Sequence, residues 1–225
     1  MKLHCTKLST TSRPIMMFCK DEGIDLEWVD VDIMSGEHFK EPFISLNPNK
    51  QVPVLEDGDF KLTESSAILK YIADKHNSAA YPKELQPRAR VNEMMDWFNT
   101  GLYREYGYHL TYSQVFDHHK RQPEEANKVT AEWGRDQSAH WLGVLDNMWL
   151  GGGNTYLCGN QKSIADYMGA AYIAAGDLVH NDLSAYSNIG KWMSPMRTAA
   201  SWGEVNDVID GFAESTKGGS WIAIK

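Results

Sequence analysis

The sequence predicts a small α/β domain of order β-α-β then β-β-α, followed by an all-α helical bundle. Three observations carry that expectation. Short runs rich in β-branched residues alternate with helix-period patterns over residues 1–76 and then nearly vanish. Residues 77–87 (NSAAYPKELQP) hold two prolines and little periodicity, which reads as a linker. From Arg88 onward apolar residues recur at spacings of three and four, and only Gly211 to Lys225 is weakly patterned. The domains are therefore placed at 1–76 and 88–225. With 225 residues, 42% of them apolar, the chain can bury a sizeable core.

Lys2 to Thr6 reads as a short strand. Ser12 to Glu22 reads as a helix with Ile15, Met16, Phe18 and Cys19 on its apolar face, Pro14 in its first turn and Gly23 as a stop. Leu26 to Ile33 alternates, with Val29, Val31 and Ile33 on one side and Asp30 and Asp32 on the other, as a strand does. That makes a right-handed βαβ unit. Gln51 to Leu55 and Phe60 to Leu62 flank Asp57-Gly58, a strong hairpin signal. Ser65 to His76 is a second amphipathic helix, burying Ile68, Leu69 and Ile72. Beyond the linker, one helix is expected from Arg88 to about Asp117 through Val91, Met94, Met95, Phe98 and Leu102. Pro123 opens another, which runs through Trp133, Trp141, Leu142 and Leu145 to Leu150, before Gly151-Gly152-Gly153. Ser163-Ile164-Ala165-Asp166 opens a third, with Ser163 as N-cap and Asp166 reaching back as in a capping box.

Composition excludes several classes. A formal net charge of −8 gives no footprint for nucleic acid. Three cysteines (Cys5, Cys19 and Cys158) cannot all pair and show no C-x-x-C spacing, so a reducing cytoplasm is expected. MKLHCTKLST lacks a signal-peptide apolar region, and no stretch suits a membrane span. No metal is expected: His118 and His119 are adjacent, point apart on a helix, and no H-E-x-x-H or cysteine pair exists. Gln161 stands before Lys162-Ser163 where a phosphate loop demands glycine, and there is no G-x-S-x-G elbow.

Two features remain. Ser9-Thr10-Thr11-Ser12-Arg13-Pro14 is a hydroxyl-rich turn before a helix, where free N–H groups and the helix dipole suit an anion such as a thiolate. The same residues equally serve as an ordinary N-cap. The second is Val52-Pro53 with Thr63-Glu64-Ser65-Ser66. Proline in a strand-like run removes a ladder donor, a cis bond is one accommodation, and the Val52 backbone is then free to bond a ligand. At the helix start, Ser65 and the free N–H groups can hold a carboxylate and Glu64 an amine. That describes an α-amino acid head group, or again a cap.

Asn47-Pro48-Asn49-Lys50-Gln51-Val52-Pro53-Val54-Leu55 through Leu62-Thr63-Glu64-Ser65-Ser66-Ala67-Ile68 resembles the glutathione-binding half of a glutathione transferase. Leu157-Cys158-Gly159-Asn160 through Asp166 resembles the capping motif of that family's helical domain. The resemblance covers Lys2 to about Phe212. It implies a thioredoxin-like first domain, glutathione as co-substrate, a small electrophile as second substrate and a homodimer. No tyrosine precedes Tyr71, and Cys5 lies too early for a catalytic cysteine. Ser9, four residues before Arg13, matches the serine of theta-like transferases and of bacterial dichloromethane-dehalogenase relatives, with Ser12 as a rival. Those relatives often carry Gln-Pro where Thr10-Thr11 stand here. Gly36-Glu37-His38 resembles the segment whose histidine contacts the glycine end of glutathione, and Gln51 falls near that end.

The resemblance implies that Ser9 stabilises the thiolate and that His38, Gln51, Val52, Pro53, Glu64 and Ser65 bind glutathione. The electrophile would lie over Ser9, beside Leu8 and the long helix with Tyr103 and Tyr106, while Trp97 belongs to the core. A glutathione-binding or scaffold relative without turnover is the alternative.

Overall fold

In the computed structural model, which describes residues 1–225, β1 (Lys2–Cys5) pairs in parallel with β2 (Glu27–Asp30), Cys5 opposite Asp30. β3 (Val54–Asp57) runs antiparallel to β1 with His4 opposite Val54. β4 (Phe60–Leu62) runs antiparallel to β3 with Leu55 opposite Leu62. The order is β2-β1-β3-β4. That register has a functional consequence. The chain leaves β1, β2 and β4, and enters β3, at one end of the sheet. Residues 6–12, 31–38, 47–53 and 63–65 therefore gather there.

Three helices belong to this half: α1 (Arg13–Asp21), the short α2 (Phe43–Leu46) and α3 (Ser65–Lys75). The helical half begins with α4 (Leu85–Trp97), continued by two π-wound stretches, Phe98–Leu102 and Arg104–Tyr112, and ended by α5 (Ser113–Val115). α6 (Glu124–Val144) closes in a π turn, Leu145–Trp149. α7 (Ile164–Ala174), α8 (Ser187–Arg197) and α9 (Ala200–Ser215) follow. No helix is long and apolar enough to cross a membrane. One apolar core runs from Leu3 of the sheet through α1 and α7 to Ile224. The fold is the thioredoxin-like domain and helical domain that the sequence predicts.

Four local differences appear. β2 stops at Asp30 because Asp32 turns the chain: its Oδ1 accepts the N–H groups of Met34 and Ser35, each at 3.0 Å. The hairpin loop is Gly58-Asp59, one residue later than expected, with Asp57 still paired to Phe60 and Gly58 at φ 61°. α4 starts at Leu85, since Pro87 occupies its first turn, where no N–H is needed. Beyond Trp97 the winding changes from α to π. Tyr103 lies over Gly107, where a Cβ would stand 2.6 Å from the ring, and Gly134 of α6 leaves room for the backbone at Leu110. Trp97 packs edge-on against Phe98 and Trp141, as a core residue does.

Candidate active site

The turn from β1 into α1 is closed by Ser9. Its carbonyl accepts the N–H groups of Ser12 and Arg13 at 3.2 Å, and its Oγ accepts the Ser12 N–H at 3.1 Å. Accepting that bond uses a lone pair of the hydroxyl and leaves its proton able to donate. The cap and the anion-binding readings are thus compatible in one side chain. Ser9 Oγ lies 3.0 Å from Thr11 Oγ1, and the Thr11 hydroxyl donates to the Val52 carbonyl at 3.2 Å. β3 begins only at Val54, so Val52 stands outside the ladder and its N–H meets no protein acceptor. The Val52–Pro53 bond is cis. Ser12 is fully buried, and its hydroxyl has no partner. Of the two, only Ser9 is partly exposed.

Thr10 and Arg13 tie this turn to the helical domain. Thr10 Oγ1 accepts the Tyr112 hydroxyl, and Arg13 donates to Asn206 of α9 and to Thr10 at 3.4 Å. Arg13 is wholly buried, and desolvation lowers its pKa; a guanidinium nevertheless stays charged.

At the start of α3, Glu64 is exposed and holds φ 66°, ψ 113°, a conformation unusual for a residue with a Cβ. Such strain costs about 1–3 kcal/mol and collects at functional sites. Its carbonyl accepts the Ile68 N–H at 2.9 Å, beginning the helix, while the first-turn N–H groups of Ser65 and Ser66 have no intrahelical partner. An exposed carboxylate beside free helix N–H groups can take an ammonium and a carboxylate side by side.

His38 sits in the turn Glu37–Phe39, its ring 3.9 Å from that of Phe39 and its Nδ1 buried without a partner. Partial burial lowers its pKa and His118 lowers it further, against the opposing charge of Glu37. Gln51 is exposed at the mouth of the same end. Its carbonyl accepts Asn47 Nδ2 at 2.7 Å, and Asn47 Oδ1 accepts the Asn49 N–H at 3.1 Å. Asn47, buried and absent from the predicted set, thereby knots the loop that presents Gln51, Val52 and Pro53; its cue in the sequence was an Asn two residues before another turn residue.

The tyrosines of the long helix sort by its winding. Hydrogen bonds of the i→i+5 kind bring residues four and five apart onto one face. Tyr103, Tyr108 and Tyr112 therefore share it: the hydroxyls of Tyr103 and Tyr112 are 2.9 Å apart, and Tyr108 packs on both rings at 5.1 and 5.4 Å. Tyr103 is itself buried and stacks on Tyr172; Tyr108 carries the exposed surface. Tyr106 does not join them. It is 1% exposed, and its hydroxyl donates to the Ile173 carbonyl at 3.2 Å inside the core. Tyr103 and Tyr106 thus lie on different faces, and Tyr108 joins Tyr103. Leu8 is half-buried in the turn before Ser9.

The family model "Glutathione S-transferase, N-terminal domain" matches residues 9–74, the stretch that holds every element of this sheet-end site. Human glutathione S-transferase theta-2B is 34% identical over 170 residues, 75% of this chain and 68% of that one. The chain belongs to the glutathione S-transferase family. Among solved structures, a delta-class glutathione transferase of Nilaparvata lugens superposes with a TM-score of 0.81 at 30% identity, covering 96% of this chain and 98% of that one. The apo form of human glutathione S-transferase T1-1 superposes with a TM-score of 0.81 at 28% identity, covering 95% and 90%. As a glutathione transferase, the protein joins the family in using glutathione as co-substrate against electrophilic substrates, and structures of the family are dimers.

The chemical task follows. A thiol with a pKa near 8.5 is only a few per cent thiolate at neutral pH, and lowering it by about two units takes roughly 2.7 kcal/mol of preferential stabilisation of the anion. A donor hydroxyl at a helix N-terminus supplies interaction of that order. The proton leaves to solvent, and the thiolate bonds to the electrophilic carbon as the bond from that carbon to its leaving group, or to the oxygen of a strained ring, breaks and takes the electron pair.

Proposed function

We propose that this glutathione transferase is of the theta-like serine type and conjugates glutathione to a small, largely apolar electrophile, with Ser9 donating its hydroxyl proton to the thiolate. The observation that carries the reading is the placement of the Ser9 hydroxyl: in the half-buried turn that leads into α1, and one hydroxyl removed from the Val52 carbonyl. In this reading the Val52 backbone beside Pro53 holds the cysteinyl unit. Glu64 and Ser65 hold the γ-glutamyl end, and His38 and Gln51 the glycine end. All of them stand on segments that the strand register brings to one end of the sheet. The electrophile lies over Ser9, between Leu8 and the exposed Tyr108, with Tyr103 backing the wall. Tyr106, in the core, is left out. Displacement of halide from a small haloalkane is the reaction class shared with the dehalogenating relatives that the Ser9-to-Arg13 spacing resembles. The protein works as a cytoplasmic homodimer.

Turnover of purified protein with glutathione and a panel of halides, epoxides and activated arenes tests the reading, with calorimetric glutathione titration alongside. Conjugation lost in Ser9→Ala supports it. Absence of heat with millimolar glutathione, in protein shown folded by circular dichroism, overturns it. Sedimentation tests the dimer.

A further inference from the structure

Related transferases often carry Gln-Pro after the serine; here Thr10-Thr11 follow, and both hydroxyls are engaged. Thr10 receives the Tyr112 hydroxyl. Thr11 does something a proline cannot: its oxygen stands 3.0 Å from Ser9 Oγ while its proton sits on the Val52 carbonyl, 3.2 Å away. The hydrogen bonds of the free protein then run in one direction. The Ser12 N–H donates to Ser9 Oγ, Ser9 donates to Thr11 Oγ1, and Thr11 donates to Val52. Thr11 therefore occupies both groups that the proposed site needs: the proton of Ser9 and the carbonyl of Val52.

A hydroxyl has one proton and two acceptor lone pairs. If glutathione takes the Val52 carbonyl with its cysteinyl N–H, the Thr11 proton has lost its acceptor. If Ser9 at the same time turns its proton to sulfur, the two oxygens at 3.0 Å would face each other with no hydrogen between them. Rotation of the Thr11 hydroxyl onto Ser9 Oγ solves both problems without moving a heavy atom. Ser9 Oγ then accepts from Thr11 and from the Ser12 N–H, and a hydroxyl that accepts is polarised into a stronger donor.

We propose that Thr11 is a positioning residue that couples capture of the cysteinyl unit to thiolate stabilisation, by handing its proton from the Val52 carbonyl to Ser9 Oγ when glutathione binds. The proposal rests on the assignment of Ser9 as donor to sulfur. It predicts an asymmetry that a structural role would not produce. Without the hydroxyl, the Val52 carbonyl is open from the start, so glutathione binding is not weakened. The thiolate meanwhile loses its support.

The test uses Thr11→Val, Thr11→Ala and Thr11→Ser in the full-length protein, with Ser9→Ala and the Ser9→Ala/Thr11→Val double variant. The pKa of bound glutathione is read from thiolate ultraviolet absorbance against pH, and its dissociation constant by calorimetry. Expected for Thr11→Val are a bound-thiol pKa raised by about half to one unit, turnover at neutral pH reduced about 1.5- to threefold, and an unchanged or smaller dissociation constant at a pH low enough to keep the bound thiol protonated. Thr11→Ser should restore the pKa, and Thr11→Ala should match Thr11→Val, which covers poor folding of either variant. The double variant should show no shift beyond that of Ser9→Ala. An unchanged pKa in Thr11→Val, or a shift that adds to that of Ser9→Ala, overturns the role of Thr11 while leaving Ser9 standing. An unshifted pKa in Ser9→Ala overturns both.

Discussion

At the scale of single residues, the site depends on one hydroxyl used twice. Ser9 closes the turn that leads into α1 with a lone pair, and its proton rests on Thr11 Oγ1 until a ligand takes it. Removing the hydroxyl takes away a charge-assisted hydrogen bond worth about 1.5–3 kcal/mol, so Ser9→Ala should lower turnover about ten- to a hundredfold. Glutathione affinity should change little, because the remaining contacts hold the peptide. Steady-state rates beside calorimetry check this, and an unchanged rate in Ser9→Ala would move the assignment elsewhere. Glu64 makes a different argument. Its backbone at φ 66° is strained for any side chain with a Cβ, and its carboxylate is proposed to hold the amino group of glutathione. Glu64→Gly should thus be more stable than Glu64→Ala, despite the extra chain entropy of glycine, while both bind glutathione more weakly. Thermal unfolding and calorimetry separate the two effects. The sequence shows Glu64 as a helix start; it does not show the positive φ, because that conformation is set by how the end of β4 meets α3.

At the scale of elements, what the sequence made legible follows the range of the interactions involved. The Ser163–Asp166 capping box is local and forms as read: Asp166 Oδ2 accepts the N–H and the hydroxyl of Ser163, each at 2.8 Å. The structure adds two distant donors, the Leu157 N–H and the Trp192 indole, both at 2.9 Å to Oδ1. Asp166 is fully buried, so Asp166→Ala should strand several buried donors and destabilise the fold by about 3 kcal/mol or more in a denaturant titration. The long helix shows the opposite case. Tyr106 turns into the core while Tyr103, Tyr108 and Tyr112 share a face, because residues 98–112 are π-wound against α6, which no window of local sequence contains. The same face ends at His119, whose ring packs on Tyr108 and Tyr112 beside His118. Burial first, then the charges of His118 and Arg121, pushes its pKa down to about 4. Since an unfolded histidine titrates near 6.5, the unfolded chain binds more protons at lower pH. The contribution of His119 is full above about pH 6.5 and is lost as the pH falls through about 4. The melting temperature should fall over that window, less so in His119→Gln.

At the scale of the whole molecule, α1 is the element that both domains share. Every residue from Arg13 to Cys19 is buried, and a helix apolar on all sides belongs to an interior. On one side α1 packs against α3; on the other it meets α7 and α9. Polar ties follow the same line: Arg13 to Asn206, Lys20 to Glu204, Lys7 to Asp207, and Asp21 to both Lys162 and the Tyr167 hydroxyl. A unit of this size is only marginally stable alone, so a core shared with the helical domain adds to its stability. Unfolding should therefore be one transition, and two probes report on the two halves. All tryptophans but Trp28 lie in the helical domain, whereas Cys5 and Cys19 lie in the first domain with thiols pushed up to about 12 by burial, unreactive until exposed. Tryptophan fluorescence and thiol labelling at Cys5 and Cys19 should give one midpoint in denaturant. Asn206→Leu sharpens the test. It deprives a buried guanidinium of its main acceptor, which costs about 1.5–3 kcal/mol. The substitution sits in α9, far along the chain from either cysteine. If the domains are coupled through α1, it lowers both midpoints equally. If labelling of Cys5 and Cys19 keeps its midpoint while fluorescence shifts, the domains unfold separately, and α1 is a surface between them rather than their common core.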